Sequence, residues 1–160
     1  MNKKVYLAPG EFVIGNASQR LYSTVLGSCV SVIMFDPAKR FYAMCHYLMV
    51  GETSRPSPEL VGRYGSFILP SFHKHVLRRG IDPAELEVSL IGGATSANAQ
   101  GLSAHYRVGE RNVDYGFRFL EHYGYSISLQ DVGGINGRRV KFNADSGEVN
   151  VETFSGVKTA

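Results

Sequence analysis

The feature that most constrains this chain is a pair of apolar segments on either side of a short polar stretch. Residues 30–35 and 41–46 are rich in β-branched, aromatic and other apolar side chains, and Asp36-Pro37-Ala38-Lys39 lies between them. Asp-Pro initiates turns, and two such runs around a turn are typical of a β-hairpin. We therefore expect a hairpin over about residues 21–49.

The register of this hairpin determines which side chains meet. If the four polar residues form the loop, Phe35 lies opposite Arg40, and by the same count Cys29 lies opposite His46. Directly opposed residues point to one face with Cβ atoms about 4.5–5.5 Å apart, close enough for a sulfur to meet an imidazole nitrogen. A loop longer by one residue would instead pair Cys29 with Tyr47 and turn His46 to the other face.

Cys29 is thus a candidate nucleophile with His46 as its base. The alternative is an ordinary buried cysteine, because free cysteine is among the most buried residue types. Gly27 permits a positive φ or a close approach to a ligand. The successive amides of Gly27, Ser28 and Cys29 could form an anion-binding concavity, where an oxyanion would develop.

Length and composition indicate one globular domain. A chain of 160 residues, with 44% apolar and 19% charged residues, is long enough to bury a sizeable core. We expect a single domain over residues 1–160 with its core at about residues 3–154. The net charge of +3 is weakly basic and most Lys and Arg residues are dispersed, whereas nucleic-acid binding requires a clustered basic patch with stacking aromatics.

The sequence also bears on location and cofactors. The basic first residues are followed by an apolar run that Pro9-Gly10-Glu11 interrupts, unlike a secretory signal peptide. No segment has the roughly 18 apolar residues of a membrane span, so we expect no membrane insertion. Two cysteines without a secretory context favour reduced thiols in the cytoplasm. They are too few for a structural zinc site, and we expect no metal and no cofactor.

Hydrophobic periodicity predicts two helices and several further strands. A helix is expected over residues 59–79, kinked or divided by Pro70, and a second over about residues 109–123, ended by Gly124. Because strands and helices do not alternate strictly, the fold class is α+β with layered packing. The predicted strands outside the hairpin lie within residues 5–7, 9–15, 86–91, 125–130, 139–143 and 148–154.

Three segments are predicted to lack regular structure. The polar, Pro-rich residues 51–58 follow the strand of His46 and form either a plain surface loop or a flap beside the site. Residues 95–106 are small and polar, and residues 156–160 form a frayed end.

Several short motifs occur along the chain in a fixed order. They are Leu26-Gly27-Ser28-Cys29-Val30, His46 at 17 positions beyond the cysteine, Ile91-Gly92-Gly93-Ala94, Gly109-Glu110-Arg111-Asn112-Val113, and Asp131-Val132-Gly133-Gly134 with Gly137-Arg138. Together they resemble the CheD family of chemoreceptor glutamine deamidases, over about residues 3–152.

The resemblance implies a single-domain, three-layer α/β/β sandwich similar to the catalytic domain of cytotoxic necrotizing factor toxins. It implies Cys29 as nucleophile and His46 as its base, with a third residue, six positions before the cysteine, that orients the imidazole. That position is Ser23 here; Thr24 is the adjacent candidate, and sequence alone does not choose between two hydroxyls. The candidates for the substrate-binding or oxyanion site are Thr24, Gly27, Ser28, Gly92 and Gly93.

The implied reaction converts specific glutamines of methyl-accepting chemotaxis proteins to glutamate through a thioester on Cys29, and the same site would serve as a glutamate methylesterase. An alternative is a regulatory module that binds a CheC-type phosphatase of phosphorylated CheY. A third hypothesis is a cysteine hydrolase with another substrate, such as a peptidase. A peptidase needs a cleft for an extended chain, and the sequence marks none.

The chain departs from the family pattern in two places. The family often reads His-Phe-Met-Leu-Pro after its catalytic histidine, where this chain has His46-Tyr47-Leu48-Met49-Val50. The usual Arg-Tyr-x-Asp appears as Arg63-Tyr64-Gly65-Ser66. The missing acid puts partner docking or substrate affinity in doubt, but it leaves the cysteine and the histidine in place.

Overall fold

The computed structural model describes residues 3–51, 54–96 and 107–155. Most of the loop expected at 95–106, the whole of the end expected at 156–160 and part of the predicted flap at 51–58 lie outside these ranges. No helix in the described part of the chain is both long and apolar enough to cross a membrane.

Within the described residues, nine strands and two α-helices make up the regular structure. The helices are α1 (Gly65–Arg78) and α2 (Val108–His122), and short 3₁₀ helices occupy Pro58–Arg63 and Pro83–Glu85. The strands are β1 (Lys3–Tyr6), β2 (Phe12–Gly15), β3 (Arg20–Leu26), β4 (Val30–Phe35), β5 (Tyr42–Cys45), β6 (Glu87–Gly92), β7 (Ile127–Val132), β8 (Gly137–Asn143) and β9 (Val149–Phe154).

The strands form two sheets. A four-stranded sheet has the order β1-β3-β8-β9, and a five-stranded sheet has the order β2-β5-β4-β6-β7. The β1–β3 and β6–β7 pairs are parallel, and the other strand pairs of the described residues are antiparallel. Central strand β4 is buried along its whole length, because one of its faces packs against the helices and the other against the four-stranded sheet. A strand covered on both faces reads as a nearly continuous apolar run, which explains the strongest feature of the sequence.

Two apolar clusters define three layers. One cluster joins α1 and α2 to the outer face of the five-stranded sheet, and the second fills the space between the two sheets. The predicted α+β three-layer sandwich is thus confirmed. Cys45 belongs to the helix-facing cluster and Cys29 to the cluster between the sheets, so the two free thiols lie on opposite faces of the five-stranded sheet.

The predicted hairpin is wrong in its extent. β3 belongs to the four-stranded sheet, where it pairs with β1 and β8. Residues 27–29, the crossover, carry the chain from this sheet to β4 in the other one. The hairpin itself contains only β4 and β5.

The predicted register is also wrong, by two residues. Phe35 pairs with Tyr42 rather than with Arg40. The turn at Asp36 forms, with Lys39 N donating to the Asp36 carbonyl at 2.7 Å. Arg40 then extends the loop, because its Nε donates to the Asp36 carboxylate at 2.6 Å. This charge-assisted bond holds Arg40 outside the ladder.

The two-residue shift preserves the face of every side chain, because the side-chain period of a strand is two. Val30 pairs with Tyr47, so that His46 lies opposite Ser31. Cys29 and His46 therefore share the face between the sheets, but they are diagonal neighbours and not a direct pair. Diagonal neighbours are about 7–8 Å apart in Cα positions, which an imidazole can span.

The first predicted helix is interrupted at a different residue than expected. Pro70 lies inside the continuous helix α1, and the break falls at Tyr64, whose φ and ψ of −118° and 120° are extended. Tyr64 separates the 3₁₀ turn of Pro58–Arg63 from α1. The second helix is confirmed within one residue at each end, and Gly124 follows it with a φ of +83°.

We expect Leu90→Ala to lower the free energy of unfolding by about 2–5 kcal/mol, because it opens a cavity between β6 and the helices. Leu90 is 0% exposed in the helix-facing cluster. The control is Leu77→Ala on α1, where the side chain is 55% exposed and the expected change is within about 0.5 kcal/mol. Urea unfolding measures both variants, and equal losses would contradict the layer assignment.

Candidate active site

The crossover is held by the backbone that follows β6. Ala94 N donates to the Gly27 carbonyl at 3.0 Å, and Gly93 N donates to the Cys29 carbonyl at 2.9 Å. Gly92 has a φ of +113°, and a Cβ atom there would lie 2.3 Å from the Cys29 carbonyl oxygen. Glycines at positions 92 and 93 thus allow the two backbones to touch.

The carbonyl of Ser28, which lies between those of Gly27 and Cys29, is bound by a side chain. Asn112 on α2 donates its Nδ2 to the Ser28 carbonyl at 3.0 Å and to the Leu48 carbonyl at 2.8 Å. Asn112 is 0% exposed. One amide group therefore connects the crossover to the segment that follows His46.

His46 is bound by a threonine of the opposite sheet. Thr24 Oγ1 lies 2.7 Å from His46 Nδ1 and 2.7 Å from the Leu7 carbonyl oxygen. A carbonyl oxygen can only accept, so the single hydroxyl hydrogen of Thr24 goes to Leu7. Thr24 Oγ1 must then accept from Nδ1–H, and the proton of the neutral imidazole is on Nδ1.

This tautomer leaves the lone pair of His46 Nε2 available. Nε2 is buried and has no hydrogen-bond partner among the described residues. Burial lowers the pKa of His46 to about 4, since a charged imidazole is poorly solvated between the sheets. The imidazole is therefore a neutral base at physiological pH.

Cys29 is a protonated thiol in the same environment. Its side chain is 0% exposed, and burial raises its pKa to about 11. The amides of Ser28 and Cys29 donate to no group in the described part of the chain. The crossover thus combines a thiol with two free N–H donors, and the pair with His46 is thiol and imidazole rather than thiolate and imidazolium.

The structure brings Thr24, and not Ser23, to the imidazole. Adjacent residues of a strand point to opposite faces; Thr24 is buried in the space between the sheets, whereas Ser23 is only half-buried and pairs with Lys141 across the ladder. The hydroxyl that contacts the imidazole thus belongs to Thr24, the residue that the sequence analysis gave as the candidate adjacent to Ser23.

Sequence reasoning missed two polar residues of this region. Ser31 is 0% exposed, its Oγ has no partner among the described residues, and the observed register sets it opposite His46. Asn112 was part of a recognised motif without a role. Its position in the helix could have indicated a role, because it is the one polar residue in the buried stripe of α2. The other residues of that stripe are Gly109, Gly116, Phe119 and Leu120.

The described residues contain no group of three His, Cys, Asp or Glu side chains that could hold a metal ion.

Comparison with known proteins identifies the family. A family model described as CheD chemotactic sensory transduction matches residues 49–153. The probable chemoreceptor glutamine deamidase CheD 3 of Dechloromonas aromatica is 36% identical over 146 residues, 91% of this chain and 85% of that protein. This chain belongs to the CheD family. CheD 2 of Geobacter sulfurreducens, also named a probable chemoreceptor glutamine deamidase, is 39% identical over 145 residues, 91% of this chain and 86% of its own length.

The CheD family model begins beyond Cys29 and His46, whereas the alignments with the full-length CheD relatives extend over nine-tenths of the chain. Among solved structures, the hypothetical protein YfiH of Bacillus licheniformis matches with a TM-score of 0.47 at 12% identity, covering 75% of this chain and 49% of that chain. A likeness of that degree carries no argument about function.

We expect His46 to stay neutral and protonated on Nδ1 from about pH 8 to about pH 5, because its pKa is lowered to about 4 from an ordinary value near 6.5. Nitrogen-detected NMR of the ¹⁵N-labelled imidazoles measures the tautomer and its titration, and His46→Gln identifies the signal. An imidazolium at pH 7 would show instead that Cys29 and His46 form an ion pair.

Proposed function

We propose that this chain hydrolyses the side-chain amide of glutamine residues in chemoreceptors, as its relatives are named to do, with Cys29 as nucleophile. The observation that carries the proposal is the bond from His46 Nδ1 to Thr24. It leaves the Nε2 lone pair free on the face that also carries the Cys29 thiol. A base with a free lone pair on the same face as a thiol is an arrangement suited to acyl transfer by cysteine.

The first step forms a thioester. His46 Nε2 takes the thiol proton as Cys29 Sγ attacks the carbonyl carbon of the glutamine side chain. The developing oxyanion accepts from the free amides of Ser28 and Cys29. The imidazolium then returns the proton to the nitrogen, and ammonia leaves as the C–N bond breaks.

The second step releases glutamate. His46 Nε2 takes a proton from water, the hydroxide attacks the thioester carbon, and the C–S bond breaks with the proton returning to sulfur. A glutamate methyl ester would form the same thioester with methanol as leaving group. Methylesterase activity therefore needs no second site.

Thr24 acts by orientation. Its contact with the Leu7 carbonyl fixes the direction of its hydroxyl, so that Oγ1 presents a lone pair to Nδ1–H and stabilises the imidazolium formed in each step. Thr24 thus takes the role that an acidic side chain has in many other triads.

The proposal also covers the substrates, the partners and the location of the protein. The substrates are methyl-accepting chemotaxis proteins, a CheC-type phosphatase is a regulatory partner, and the protein acts in the cytoplasm. Nucleic acid is not among the partners. The receptor substrate is supported by the names of the relatives, whereas the phosphatase rests on the family resemblance alone.

We expect the chain to add about one mass unit to a purified cytoplasmic receptor fragment for each glutamine converted, since NH₂ is replaced by OH. Intact-mass spectrometry follows the reaction. Cys29→Ala abolishes the gain, and Cys45→Ala, which changes the other thiol on the helix-facing side, preserves it. No gain with several receptors, together with tight binding to a CheC-type phosphatase by both the unmodified chain and Cys29→Ala, would favour the regulatory module.

Thr24→Val is expected to lower kcat by about 10- to 1,000-fold, because Nδ1–H loses its acceptor and the imidazole its orientation. Thr24→Ser retains the hydroxyl and most of the activity. Ser23→Ala, one residue away on the opposite face of β3, leaves kcat within about twofold. The same mass assay measures all three variants, and a large loss in Ser23→Ala alone would restore Ser23 as the orienting residue.

A further inference from the structure

We propose that Asn112 is a positioning residue that aims the backbone amide of Cys29 at the reacting carbonyl group. It does so by holding the carbonyl of Ser28, in the same peptide unit. This inference rests on the proposed deamidase function and adds to it a residue on α2, outside the cysteine, histidine and threonine.

The contacts of Asn112 assign the orientation of its amide group. Both neighbours of the side chain are carbonyl oxygens, Ser28 O at 3.0 Å and Leu48 O at 2.8 Å. Carbonyl oxygens only accept, so the NH₂ group faces them. Asn112 Oδ1 is buried without a partner among the described residues. The amide is thus held through its two donated hydrogens.

Because of the geometry of the peptide unit, the bond from Asn112 to the Ser28 carbonyl also orients the Cys29 N–H. In a planar trans peptide unit the C=O and N–H groups point in opposite directions. Fixing the Ser28 carbonyl toward α2 therefore directs the Cys29 N–H away from α2. The bond from Ala94 N to the Gly27 carbonyl directs the Ser28 N–H in the same manner.

Only one of these restraints depends on a side chain. The carbonyls of Gly27 and Cys29 are bound by backbone amides, which any residue other than proline supplies. The Ser28 carbonyl is bound by the amide of Asn112. Asn112 is therefore the position where a substitution can release the Cys29 amide while the glycine turn stays intact.

The second bond of Asn112 reaches the segment that follows His46. Leu48 follows His46 by two residues, and the paired residues Val30 and Tyr47 lie between the two carbonyls that Asn112 binds. Tyr47 in turn donates its hydroxyl to the Asn112 carbonyl at 2.6 Å. The crossover and the His46 segment are thus held to one point on α2.

Packing keeps that point in place. A Cβ atom on Gly109 would lie 2.3 Å from the Ala94 carbonyl oxygen, and one on Gly93 would lie 2.0 Å from Val113 Cγ2. The first turns of α2 therefore contact the glycine turn directly, with no room for adjustment. A donor on a rigid helix holds a catalytic backbone more accurately than one on a loop.

The two acceptors also restrict the residue type. Binding both carbonyls requires a side chain of this length with two hydrogens on one nitrogen. A carboxylate or an aliphatic side chain of the same size donates none. Asn112→Ala removes both donors. Asn112→Asp keeps the size but sets a carboxylate oxygen against two carbonyls, which raises the pKa of the introduced carboxyl.

The test is steady-state kinetics of receptor-fragment deamidation by the unmodified chain, Asn112→Ala and Asn112→Asp. We expect kcat to fall by about 10- to 100-fold in both variants, with KM within about twofold, because an oxyanion donor acts in the transition state. In Asn112→Asp, the kcat relative to the unmodified chain rises as the pH falls from about 8 to about 5.5, because protonation restores one donor. The NMR titration of His46 stays unchanged in both variants.

A purely structural role is tested by Val76→Ala, a fully buried change on α1. It is expected to lower thermal stability while kcat stays within about twofold. Unchanged kcat in Asn112→Ala, a rise in KM alone, or a shifted His46 titration would overturn the inference and leave the deamidase function standing. Absence of deamidation by the unmodified chain would overturn both.

Discussion

The crossover of the chain between the two sheets is the constraint on which the rest of the site depends. Three consecutive carbonyls, those of Gly27, Ser28 and Cys29, are all bound by groups after β6 or on α2. A backbone that turns all its carbonyls to one side presents its amides to the other. The same bonds that carry the chain from one layer to the next thus create the donors that an oxyanion would need.

Burial sets the chemistry of the Cys29 and His46 pair. The site lies between two sheets, where desolvation raises the pKa of the thiol to about 11 and lowers that of the imidazole to about 4. Both shifts favour the uncharged pair, so in the proposed reaction the thiolate would form only as the proton moves to His46 Nε2 during attack. A protonated thiol is also a poor target for oxidants, because oxidation follows thiolate character. The buried Cys29 thiol is therefore protected from oxidation.

Much of this fold follows from sequence periodicity, and the errors have physical causes. Side chains alternate between the two faces of a strand. The predicted register was wrong by two residues, but such a shift leaves each side chain on its face, so Cys29 and His46 still share one. The shift itself came from the Asp36–Arg40 bond, a side-chain contact that turn propensity does not include. The choice between Ser23 and Thr24 required knowing which face of β3 is inward. The role of Asn112 could not be predicted from the sequence, because the two carbonyls that it binds lie more than 60 residues away along the chain.

The position of Thr24 shows why fold and chemistry cannot be separated in this molecule. His46 follows a strand of the five-stranded sheet, whereas Thr24 belongs to the four-stranded one. Packed sheets lie about 10 Å apart, and here an imidazole and a hydroxyl bridge that space through one hydrogen bond. The Leu7 carbonyl decides which way the hydroxyl points, and thereby which nitrogen of His46 is free. A shift of one sheet against the other would therefore change the hydrogen bond that orients the His46 imidazole.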